Sequence, residues 1–185
     1  MLALAGVAAL VAAGVASAHA RVSPSVSLAN ELQLYSLAVP TEKENLTTTK
    51  IVLTLPQGFS IDSFVPSPGW TRQVQQTGSG DSAVIQKVTW TGGNVPTEED
   101  SLFQFLAQPS KAGTYTFDVQ QTYSDGSIVD WSGSESSAAP APTIKVSSSV
   151  GGGTSTLAIV ALVLGAIGIV LGAIALVSRG GRSMT

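Results

Sequence analysis

Cysteine is absent from all 185 residues, and there is one histidine, His19. Without cysteine there are no disulfides, so a folded domain must hold together through its core, and no thiolate can act as a nucleophile or metal ligand. Methionine is almost as scarce: Met1 and Met184 sit at the extreme ends, leaving no soft thioether donor between them. A blue-copper electron-transfer centre needs a cysteine and two histidines, so that class is excluded. A Ser-His-Asp hydrolase is poorly supplied as well, because its imidazole would have to come from the N-terminal edge of the domain. Charged residues make up 11% of the chain, and the net charge is −3 with no Lys/Arg cluster, which argues against nucleic acid as a partner.

Apolar residues are plentiful at the two ends. From Leu2 to Ala16 the chain is rich in Ala, Val, Leu and Gly, and it then reads Ala16-Ser17-Ala18. A short apolar run closed by a small-x-small site has the form of a signal sequence (residues 1–18) cleaved after Ala18. No Lys or Arg precedes the run, which leaves an upstream start or an n-region charged by the α-amine alone; an uncleaved N-terminal anchor is the other reading, and the Ala-Ser-Ala site favours cleavage. Near the opposite end, Leu157 to Val177 carries no charge, and roughly 20 apolar helical residues cross a bilayer core. Arg179 and Arg182 follow, whereas Ser147–Thr156 is an uncharged Ser/Gly/Thr-rich stalk. Positive charge on the inner side predicts a single-pass membrane protein, its tail (residues 178–185) cytoplasmic and its domain extracytoplasmic.

Between the ends, residues 19–146 read as all-β. Ile51, Leu53 and Leu55 alternate with Val52, Thr54 and Pro56, the period of a sheet with one buried face. Tyr115, Phe117, Val119 and Tyr123 share one face, interrupted by Gln121; Phe103, Phe105 and Ala107 share another, and Val84, Val88 and Trp90 a third. Turn signals separate these runs. Among them Asp125-Gly126 predicts a tight hairpin that folds Ser127–Trp131 beside Thr122–Ser124. Thr143–Val146 reads as a last edge strand. About seven strands and no sustained helical period predict an immunoglobulin-like or cupredoxin-like β-sandwich, followed by one C-terminal transmembrane helix.

The single histidine stands at the junction itself. Cleavage after Ala18 would make His19 the mature N-terminus, and its chemistry would then change. A free α-amine titrates near about 7.7–8.0 and an imidazole near about 6.5, so both deprotonate at mild pH and bind a metal together. The amine and Nδ1 of one residue close a six-membered chelate ring, a donor pair suited to Cu(II). Cleavage two residues later, after Ala20, would discard the histidine, so spacing alone leaves metal binding open.

Several local patterns together resemble the YcnI-like family, extracytoplasmic copper-binding domains of bacterial copper-handling operons. They are Ala18-His19-Ala20-Arg21-Val22, Val39-Pro40-Thr41-Glu42-Lys43 with Thr48-Thr49-Lys50, and Pro66-Ser67-Pro68-Gly69-Trp70. Val88-Thr89-Trp90 and Asp125-Gly126-Ser127-Ile128-Val129-Asp130-Trp131-Ser132-Gly133 complete the set. The resemblance implies a copper brace built on one histidine, with His19 giving its amine and Nδ1, Glu42 a carboxylate oxygen, and Trp131 an aromatic wall against the metal. By residue type alone Glu44 rivals Glu42, and Trp131 could equally be a core aromatic like Trp70 and Trp90. The expected ligand is Cu(II), and the family setting implies other copper carriers or copper permeases as partners. A metal-free surface interaction module is the alternative. A copper enzyme fits less well, since an oxidative brace takes a second histidine; no enzymatic activity is expected.

Overall fold

The computed structural model describes residues 19–80, 83–149 and 156–179, so the expected signal sequence, most of the expected stalk and Arg182 of the expected tail lie outside the described residues. Two compact units make up the chain, meeting between Ser148 and Ser149.

The first unit is a β-sandwich. Its strands are β1 (Arg21–Ser23), β2 (Val26–Leu28), β3 (Gln33–Pro40), β4 (Thr48–Thr54), β5 (Phe59–Phe64) and β6 (Thr71–Thr77). The chain continues through β7 (Val84–Val95), β8 (Asp100–Pro109), β9 (Gly113–Thr116), β10 (Asp118–Tyr123), β11 (Ile128–Trp131) and β12 (Thr143–Ser147). One sheet has the order β1-β3-β8-β5 and the second β11-β10-β4-β7-β6. Both are antiparallel throughout. Alternation then does what it must: Tyr35, Leu37 and Val39 of β3 and Phe103, Phe105 and Ala107 of β8 are buried, as are Ile51 and Leu53 of β4 and Val88 and Trp90 of β7. Trp90 stacks on Phe103, ring centroids 4.1 Å apart, so aromatic rings from the two sheets meet directly. Burying side chains of this size contributes about 1.5–3 kcal/mol each, which is how a domain without disulfides is held.

Three local expectations change on contact with the fold. Thr143–Ser147 is no edge strand: β12 lies in the middle of a third sheet, β2-β12-β9, parallel to β2 and antiparallel to β9. Val84 does not share the buried face of Val88 and Trp90. The register between β6 and β7 shifts where Gln75 faces Lys87 and Gln76 faces Ile85, so Gln86 is an extra residue. A bulge of this kind reverses the parity beyond it; Val84 is exposed and Ile85 packs on the core. The hairpin at Asp125-Gly126 is also wider than a two-residue turn, with Thr122 opposite Ile128 and Trp131 opposite Val119. Among the turn residues only Gly126 takes positive φ (83°), whereas the tight turn needs it at both central positions.

The second unit contains α1 (Thr156–Arg179), 24 residues long. Its span Thr156–Leu176 has a mean hydropathy of 2.9 and is long and apolar enough to cross a membrane.

A candidate metal centre at the sandwich edge

Strand β1 pairs with β3 on one side only, and β11 likewise pairs only with β10. They are edge strands of the two sheets; His19 lies two residues before β1 and Trp131 ends β11, and their rings meet. The ring centroids lie 6.3 Å apart at an interplanar angle of 63°, an edge-to-face contact. His19 is exposed, whereas Trp131 is 1% exposed and belongs to the core. Trp131 is therefore a core aromatic that also touches the histidine, so the two readings of it from sequence are not exclusive.

Glu42 follows the end of β3, the strand that pairs with β1. Arg21, the first residue of β1, lies opposite Ala38 in that ladder, two residues before Pro40, where β3 ends. The segment after Pro40 is tied down on several sides. Thr41 N–H donates to the Glu99 carbonyl (3.0 Å), and Glu98 N–H donates back to the Thr41 carbonyl (3.1 Å). The Thr97 hydroxyl donates to the Lys43 carbonyl (2.7 Å). Lys43 Nζ donates to Ser127 Oγ (2.7 Å) and stands 4.8 Å above the Tyr123 ring. Glu42 N–H itself donates to the Tyr123 phenol oxygen (3.4 Å). Burial pushes the Tyr123 phenol above its ordinary pKa; the hydrogen bond from Glu42 N–H opposes that shift, and the nearby negative charge of Glu42 adds to it.

Beneath the rings runs a chain of buried hydrogen bonds. Trp131 Nε1–H donates to Gln121 Oε1 (2.9 Å). Gln121 Nε2 donates to the Pro40 carbonyl (2.8 Å) and to Thr48 Oγ1 (2.7 Å). Thr48 and Thr41 share a hydroxyl contact of 2.7 Å, and Thr41 Oγ1 donates to the Val95 carbonyl (3.3 Å). Gln121, Thr41 and Thr48 are all buried. An uncompensated amide in such a place would cost about 1–3 kcal/mol, and here both of its ends are paired.

Of the residues singled out from sequence, the fold joins His19 to Trp131, and Glu42 stands just past the end of β3, the strand paired with β1. Glu42 and Glu44 are both exposed, and neither lines the cavity that His19 lines with Arg21, Thr116, Glu135 and Pro142; Glu44 lines another with Asn45, Pro96, Thr97 and Glu98. Among the described residues no three His, Cys, Asp or Glu gather as a metal cluster, so any site here draws its donors from few side chains. Gln121 and Tyr123 are the participants that motif spacing missed. The signal for Gln121 was its position, a lone amide on an otherwise apolar strand face.

Residues 19–146 match the model of a domain family described as a domain of unknown function, DUF1775. The chain belongs to that family. Over 183 aligned residues it is 36% identical to the copper-binding protein CutI of Bacillus subtilis, covering 89% of this chain and 87% of that protein. The likeness to the YcnI-like family read from the motifs is thereby borne out. A solved structure of an uncharacterized protein from Nocardia farcinica, with an immunoglobulin-like fold, superposes with a TM-score of 0.58 at 30% identity. That match covers 70% of this chain and 98% of the other. Of the two sandwich forms expected from the sequence, the immunoglobulin-like one is the one observed.

Proposed function

We propose that this chain is a membrane-tethered, extracytoplasmic Cu(II)-binding protein that holds copper and passes it on, without catalysing a reaction. Removal of residues 1–18 would expose the amine of His19, which with Nδ1 chelates the ion. Glu42 supplies a carboxylate oxygen, and Trp131 walls the site from the core. The helix Thr156–Leu176 anchors the domain outside the cell membrane, with Arg179 and Arg182 on the cytoplasmic side.

The observation that carries this reading is the contact of the only histidine with Trp131, 6.3 Å between ring centroids. Donor chemistry agrees with it. Amine, imidazole and carboxylate suit Cu(II), whereas Cu(I) prefers thiolate and thioether ligands, and the domain has neither. The copper binding named for the Bacillus relative points the same way. A cation against an indole also gains from the electron-rich π-system. Cargo held at an exposed edge can be surrendered to another copper carrier or to a copper permease.

The test is a Cu(II) titration of the processed full-length protein in detergent, with the mature N-terminus read by mass spectrometry. One equivalent bound by a chain beginning at His19, and lost in His19→Ala, is the expected result. Binding that survives His19→Ala, or a mature chain beginning beyond His19, would overturn the assignment.

A further inference from the structure

We propose that Gln121 is a positioning residue of the copper site: one buried amide that fixes both the aromatic wall and the carboxylate arm. This rests on the copper-binding reading and goes beyond it by assigning a role to a residue that cannot reach the metal.

The hydrogen bonds around Gln121 can be directed in one way only. An indole N–H only donates, so the group facing Trp131 is the amide oxygen. A backbone carbonyl only accepts, so the group facing Pro40 is the amide nitrogen. Both of its hydrogens are then committed, one to Pro40 (2.8 Å) and one to Thr48 Oγ1 (2.7 Å). Thr48, having accepted, turns its own hydrogen to Thr41 Oγ1, and Thr41 turns its hydrogen to the Val95 carbonyl. The chain therefore has one polarity from Trp131 to Val95 and no free end.

Its connections explain why an amide stands there. Gln121 sits on β10 in the inward row that also contains Val119 and Tyr123, opposite Ile51 on β4 and Val129 on β11. Packing alone would favour a hydrophobic side chain, and leucine or methionine would fill the space. The amide instead reaches across the sandwich from the sheet that bears Trp131 to the end of β3, in the sheet whose edge strand β1 begins two residues after His19. Its oxygen sets the rotation of the indole that meets His19. Its nitrogen holds the last carbonyl of β3, from which Thr41 and Glu42 lead off. Two parts of the site on different sheets are thus referred to one side chain. Groups that hydrogen-bond around metal ligands commonly change affinity by about 10–100-fold when replaced.

The experiment compares Cu(II) binding and the Cu(II) electron paramagnetic resonance spectrum of the processed full-length protein in detergent with those of Gln121→Met, Thr48→Val and Thr48→Ser. Gln121→Met removes both arms while keeping the volume. We expect Cu(II) affinity to fall about tenfold, with an altered spectrum and shifted Trp131 fluorescence. Thr48→Val should move affinity and spectrum the same way by less, and Thr48→Ser should restore both. Should the methionine variant not fold, the Thr48 pair decides by itself. Variants that lose stability but keep wild-type affinity and spectrum would overturn the inference and make Gln121 a purely structural amide. Failure of the copper reading looks different, because the wild-type protein would then bind no Cu(II), and the positioning role would fall with it.

Discussion

The imidazole of His19, just ahead of edge strand β1, and the indole of Trp131, at the end of edge strand β11, meet edge to face, 6.3 Å between centroids. One ring is exposed and the other buried, so the pair joins solvent to core. Trp131 is also anchored through Nε1 to Gln121. Changes at this one indole should therefore be felt both in the metal site and in stability.

Replacing Trp131 with phenylalanine keeps an aromatic ring but deletes the donor to Gln121. Cu(II) should still bind, with altered redox behaviour measurable by voltammetry. Leaving the Gln121 oxygen without its donor should lower stability by about 1–3 kcal/mol, read from urea unfolding. Unchanged redox behaviour would return Trp131 to a purely structural role.

Glu42 and Glu44 are separated by one residue, and both are exposed. Glu42→Gln should weaken Cu(II) binding and change its spectrum, whereas Glu44→Gln should do neither. The reverse outcome in the same titrations would move the oxygen ligand to Glu44.

Alkaline stability should report on Tyr123. Burial raises its phenol pKa, with the charge of Glu42 reinforcing that effect. Above the ordinary value of about 10 the unfolded chain gives up the proton that the folded chain keeps. The contribution is therefore fully present below about pH 10 and is lost as pH rises through the window above it. Tyr35 shifts in the same direction, also through burial. Unfolding measured from about pH 9 to about pH 11 should show stability falling, and falling less steeply in Tyr123→Phe. A parallel decline in both proteins would contradict the assignment.

Gly93 on β7 lies under the ring of Trp70, which packs edge-on against Phe103 at 5.0 Å. A Cβ at Gly93 would overlap the six-membered ring of Trp70. Gly93→Ala should cost about 1–3 kcal/mol through overpacking, measured by urea unfolding, while Cu(II) affinity stays unchanged.

Much of the fold was readable from alternation, because strands with one buried face write their parity into the sequence. Phe103, Phe105 and Ala107, and Ile51 with Leu53, fall as expected for that reason. Parity fails where the backbone departs from a regular ladder, as at Gln86, whose bulge exposes Val84. Strand order is a long-range property, so the central place of β12 was invisible locally. The candidate site was legible unevenly. His19 stood out as the only histidine and Trp131 through its motif, but their contact depends on two sheets closing. Gln121 broke an apolar pattern, which marked it as unusual, yet its partners Pro40 and Thr48 lie 81 and 73 residues away.

The central claim is that the amine freed at His19 is itself a ligand. Its most direct test is to place a single glycine ahead of His19 in the otherwise unchanged mature protein and compare Cu(II) affinity and electron paramagnetic resonance with the native N-terminus. The extra residue leaves the imidazole, Glu42 and Trp131 in place but turns the amine of His19 into a peptide nitrogen. The account predicts that the native spectrum disappears, replaced by that of a Gly-His chelate formed by the new amine, the intervening peptide nitrogen and the imidazole. Equal affinity with the same spectrum in both proteins would contradict it.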